Sequence, residues 1–159
     1  MIDLAHIHPM LVHFPIVLLL MVVAVDFVAL QRNDDLASNQ VLPNIALVLL
    51  VLGTLAAIAA SSFGDIAMDE AISKGFLKPP LEEHEELGFT TMWIFIGLTV
   101  ARLVAWRAHF SLTTWRGWTL FVAGVVGAGI LLVTAYHGGH LVYELGVNVA
   151  PVHPVPTHP

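Results

Sequence analysis

The chain has 159 residues, 57% of them hydrophobic and 11% charged, with a mean hydropathy of +0.83 and a formal charge of -6. So few charges cannot cover a water-soluble domain of this size, which places the chain in a lipid bilayer. The negative charge argues against a nucleic-acid partner, and the absence of cysteine excludes disulfides, thiolate metal sites and c-type haem attachment on this chain.

A hydrocarbon layer about 30 Å thick takes roughly 20 helical residues. Four apolar runs meet that length, over 10–30, 43–63, 87–106 and 118–137. They are continuously apolar and lack the alternation of a membrane barrel strand, so the expected fold is all-α, a four-helix transmembrane bundle. Residues 1–149 form its single domain, and 150–159 form an extended tail rich in Pro and His. The first run is read as a retained helix and not a signal peptide, because no Lys or Arg precedes it and its apolar stretch is too long.

Lys and Arg in the short connections set the expected orientation. Arg32, Arg102, Arg107 and Arg116 fall on one side, whereas Lys74 and Lys78 sit among many carboxylates on the other. With the Arg side cytoplasmic, both termini and the loop 64–86 face outward, to the periplasm of a bacterial inner membrane.

Taken in chain order, the helix ends gather histidines on that outer face. His6 and His8 precede the first span, Pro9 suits a first helical position, and His13 lies about a turn inside. Pro15 is expected to bend the helix and free a carbonyl. The second span is expected to end near Ser61-Ser62-Phe63-Gly64-Asp65. Pro79 and Pro80 start a helix whose first turns carry Glu82, Glu83, His84, Glu85 and Glu86. The fourth span leaves through Tyr136, His137, Gly138, Gly139 and His140. The inner side has only His109.

Any one of these histidines reads most plainly as an interfacial hydrogen-bonding residue; six on one face point to a site. Imidazole serves Zn, Cu and Fe alike. Haem b needs two facing imidazoles and an apolar slot with small residues, and Gly53, Ala57, Ala60, Gly124, Gly127, Ala128 and Gly129 offer one, though close helix packing uses the same residues. His13 and His84 form the first axial pair by depth, and His8 with His137 or His140 the second. Asp65, Glu83 and Glu85 are then the groups that orient the imidazoles. A non-haem Cu, Zn or Fe site stays open, since His6-x-His8 and His137-x-x-His140 are chelating spacings and the tail adds His153 and His158. A third reading is a non-catalytic scaffold or assembly subunit.

Asp26 and Arg102 both fall in the inner half of their spans, where a charge requires a partner; an ion pair is the plain reading. No relay of ionisable groups crosses the middle, which argues against a pump, and no nucleophile or phosphate-binding pattern marks a hydrolase.

The segment His8-Pro9-Met10-Leu11-Val12-His13-Phe14-Pro15-Ile16, the Gly64-Asp65 pair, His84 and the closing Gly138-Gly139-His140-Leu141-Val142-Tyr143-Glu144-Leu145-Gly146-Val147 together resemble a bacterial family of four-helix membrane proteins of unassigned function. Some of its members are fused to, or encoded near, cytochrome-type domains. The resemblance covers nearly the whole chain to about Val149; Asn148 departs from it where a second glycine is usual, and Glu144 where a basic residue is common. It implies the location of a site and a respiratory setting: an electron-transfer or accessory subunit whose partners are the bilayer, other membrane subunits or a periplasmic cytochrome-type protein.

Overall fold

The computed structural model describes residues 7–149. Its elements are α1 (Ile7–Leu11), α2 (His13–Gln31), α3 (Val41–Ser73), α4 (Lys78–Arg107) and α5 (Thr114–Tyr143). Four helices, counting α1 with α2 as one span, are long and apolar enough to cross a membrane. Each packs on its neighbours in chain order and α5 closes back on α2, giving an antiparallel four-helix bundle. Chains of exposed Val, Leu, Ile and Phe run along the outside of the helices, which suits lipid as the solvent.

The break between α1 and α2 falls at Val12 and follows from Pro15. A proline at that position removes the N–H that would close the turn onto the Leu11 carbonyl.

Three of the helix ends are closed by left-handed residues. Asn33 (φ 58°), Gly75 (φ 92°) and His109 (φ 54°) each follow a helix, and the next residue's N–H bonds back to Ala29, Ala71 and Ala105 respectively. His109, at the Arg102 end of the bundle, therefore has a backbone role as a helix terminator.

The polar stretch after the second apolar run is helical where a loop is expected. α3 continues to Ser73, and only residues 74–77 connect it to α4. Ala67 and Ala71 extend the buried stripe of Ala57 and Ala60 at helical spacing, and Ala71 packs with Leu81, Leu141 and Val147, so tertiary burial carries the helix past Gly64-Asp65. At 1.5 Å per residue, α3 is about 50 Å long and exceeds an ordinary hydrocarbon layer by several turns. α5 likewise runs on to Tyr143, past His137.

The core has three levels. Leu19, Val22, Leu50, Phe95 and Leu131 fill the middle, where the missing side chain of Gly53 lets Leu19 approach: a Cβ there would meet Leu19 Cδ2 at 2.6 Å. Ala29, Leu30, Leu36, Ala105 and Leu112 fill the end carrying the 32–40 and 108–113 connections. Ala71, Leu81, Leu141 and Val147 close the opposite end.

The end with the two connections is tied together by polar contacts. Arg102 donates from Nη1 to both Asp26 oxygens at 2.7 Å, from Nε to the Leu36 carbonyl at 3.1 Å and from Nη2 to the Pro43 carbonyl at 3.1 Å. The two charges are thus paired as expected, and Arg102 additionally fixes the connection between α2 and α3.

Candidate functional site

The bundle is tight at the Arg102 end and hollowed towards the other. A cavity of about 410 Å³ lies between the central core level and the cluster closing the opposite end, and it takes its walls from all five helices. Ala57, Ala60, Ile16 and Leu131 make it mainly apolar, and His8, His13, His84, Asp65, Glu85 and Asn148 bring polar groups to it.

His8 reaches this cavity from α1. Its Nδ1 donates to the Ala60 carbonyl at 2.8 Å, a carbonyl that can only accept, so a proton is on Nδ1 and Nε2 is not engaged by this contact. The ring lies over Gly64, where a Cβ would come within 3.3 Å of Cε1 and Nδ1. His84, on α4, lies over Gly138 of α5 in the same way; a Cβ at Gly138 would stand 3.0 Å from its Cε1. Gly64 and Gly138 are therefore seats for imidazoles.

The two rings meet edge to face with centroids 6.1 Å apart and planes at 82°. His84 Nδ1 is buried without a hydrogen-bond partner. A buried polar nitrogen in that state costs about 1–3 kcal/mol.

The expected residues divide as follows. His8 and His84 are brought together at the cavity. His13, the expected partner of His84, is exposed and lines the same cavity from the start of α2. His137 Nδ1 stands 3.8 Å from Glu83 Oε1, and His140 Nδ1 stands 3.1 Å from Glu144 Oε2. Neither histidine lines the cavity, and nor does Glu83, whereas Asp65 and Glu85 do. Among the described residues, no three His, Asp or Glu side chains converge as a metal-binding group. His6, His153 and His158 lie outside the described residues.

Sequence reasoning placed Ala60 in the slot and marked Asn148 as a departure from the family pattern, but missed the hydrogen bond each makes. The Ala60 carbonyl orients His8 through a backbone atom, which no residue type signals. Asn148 folds back over α3, donating from Nδ2 to the Ala67 carbonyl at 3.2 Å, and only its place beside Gly146 hinted at a turn.

Among known proteins, the model of a family described as predicted membrane protein (DUF2231) matches residues 5–151.

The chain belongs to the DUF2231 family. No curated protein and no solved structure matches it. The DUF2231 match spans every helix and both glycines on which the histidines rest.

Proposed function

We propose that this chain binds haem b between His8 and His84 and passes electrons as a subunit of a larger redox assembly in a bacterial inner membrane. The observation that carries the reading is the His8–His84 ring pair at the edge of the cavity.

The donor set favours haem over a bare metal ion. A porphyrin supplies four ligands to its iron and asks the protein for two, whereas a protein-held Zn site uses three or four side chains. Two imidazoles converge here, without a third His, Asp or Glu among the described residues. The cavity volume also lies within the range of small-molecule and cofactor sites, roughly 300–1,000 Å³.

In this reading haem supplies one-electron chemistry, and each nearby residue has a defined task. Ala60 holds the His8 tautomer that presents Nε2. Gly64 and Gly138 set the depth of the two rings. Asp65 and Glu85 place negative charge at the cavity, favouring the oxidised, more positive form of a bound centre. His13 is a wall residue of the site. The histidine end faces the periplasm, in keeping with the Arg residues of the opposite connections.

The test is a reduced-minus-oxidised visible spectrum of the detergent-purified chain, with a pyridine haemochrome assay and metal analysis on the same sample. A b-type signal approaching one haem per chain is expected. A colourless sample that takes up no added haem, with or without bound copper or zinc, would overturn the haem assignment and leave the metal or scaffold reading.

A further inference from the structure

The cavity has two unlike halves. Both of its carboxylates, Asp65 and Glu85, come from α3 and α4, whereas the stretch from α1 to α2 and the helix α5 bring it no carboxylate, Lys or Arg. The halves also differ in how their seams are closed. Ala71 of α3 packs with Leu81 of α4 and Leu141 of α5, and Thr91 Oγ1 of α4 stands 3.1 Å from Thr134 Oγ1 of α5. His84 lies over Gly138 across the same α4 to α5 seam.

The α2 to α5 seam is joined at its other end. Phe27 packs on Trp118 and Phe121, a Cβ at Gly117 would meet Leu30 Cδ2 at 2.8 Å, and Val23 is the neighbour of Gly124. Those pairs set an antiparallel register which, carried on towards the histidines, brings Val12 level with Ala135. Both residues line the cavity, yet no Cα of α1 comes within 8 Å of one on α5. α1 is held instead to α3, through His8 on the Ala60 carbonyl, and this leaves a gap between the Val12 break and α5.

We infer that the cavity is entered sideways from the bilayer, through the gap between the Val12 break and α5, by an amphiphilic ligand dissolved in the leaflet on the histidine side. For the identity of that ligand the inference rests on the haem reading, and it names the source: haem b is loaded from lipid and not from water. Depth supports this. With Leu30 at one edge of a hydrocarbon layer about 30 Å thick, Val12, about 27 Å further along the helix, is still inside it. The end of the bundle beyond the cavity is filled by the apolar cluster of Ala71, Leu81, Leu141 and Val147, so the direct route from water is the obstructed one. An apolar body passing the uncharged side brings its polar edge to the side that carries Asp65 and Glu85.

The experiment needs no haem in its first arm. The chain has no cysteine, so Gly88→Cys gives a single site for a nitroxide label. Gly88 lines the cavity from α4, and a side chain there meets nothing within 4 Å. The labelled full chain is placed in phospholipid vesicles, and relaxation of the nitroxide is measured with oxygen, which concentrates in lipid, and with a neutral nickel chelate, which stays in water. Access by oxygen is expected to exceed access by the chelate, and to fall severalfold when Ala135→Trp or Val12→Trp narrows the gap from either side. Greater access by the chelate, or oxygen access unchanged by both tryptophans, would overturn lateral entry. In the second arm, haem dissolved beforehand in the vesicles is expected to enter the unlabelled wild-type chain, followed by the Soret band, and to enter both tryptophan variants severalfold more slowly. If the first arm holds and wild type takes up no haem, the haem reading falls while the lateral opening stands.

Discussion

Arg102 Nη1 sits 2.7 Å from each oxygen of Asp26, deep in the end of the bundle away from the histidines, and the remaining guanidinium nitrogens are taken by the Leu36 and Pro43 carbonyls. Removing one partner leaves a bare charge in a low-dielectric interior, which typically costs 3–5 kcal/mol, about the cost expected here. Asp26→Ala is therefore expected to lower the thermal midpoint sharply in detergent. Asp26→Leu combined with Arg102→Met should recover much of that loss, because the desolvation penalty disappears with both charges. A double variant as unstable as the single one would show that the carbonyl contacts of Arg102 matter more than the pair.

Gly138 and Gly139 are adjacent on α5 and differ in what a side chain would meet. A methyl at Gly138 meets the His84 ring at 3.0 Å, and one at Gly139 meets nothing within 4 Å. Gly138→Ala is expected to displace His84 and to weaken haem uptake at least severalfold. Gly139→Ala should leave uptake unchanged and, by ordinary helix propensity, raise stability by up to about 1 kcal/mol. Haem titration and thermal melting of the two variants side by side check both statements.

These glycines show what a sequence can and cannot convey. Four apolar runs announce four helices, and a Pro placed three residues after Val12 announces the break before α2. Asp26 and Arg102, as charges inside apolar runs, announce a pair. Gly64-Asp65 misleads, because a glycine before a polar stretch looks like a helix stop; the helix continues, and the glycine serves the His8 ring. The true terminator is Gly75, eleven residues on. The pairing of His84 is equally beyond linear reading. Depth along a helix places His13 near it, but the ring that meets His84 is His8, on the far side of the Val12 break, and His13 is exposed.

Asp35 links the two connections at the Arg102 end, accepting from the Ala37 N–H at 2.9 Å and the Leu112 N–H at 2.8 Å. Burial alone would raise its pKa, but those two N–H groups and the Ser111 side chain outweigh it and hold the carboxyl below its usual 3.8. A carboxyl with a depressed folded pKa contributes stability that is present above the unfolded value and lost as pH falls through the folded one. Stability is thus expected to be insensitive to this group above about pH 5 and to decline progressively as acid is added below that. Asp35→Asn should flatten that acid limb. Amide exchange of Leu112, followed from pH 6 downwards in wild type and variant, reports on it directly; matching profiles would show that Asp35 has no part in the acid limb.

The most direct test of the central claim is the haem content of three single variants, His8→Ala, His84→Ala and His13→Ala, purified alongside wild type. If His8 and His84 are the ligands, wild type and His13→Ala carry the b-type spectrum, while His8→Ala and His84→Ala remain membrane-inserted and lose it. A spectrum that survives in both His8→Ala and His84→Ala, or that disappears only in His13→Ala, would contradict the assignment of this pair.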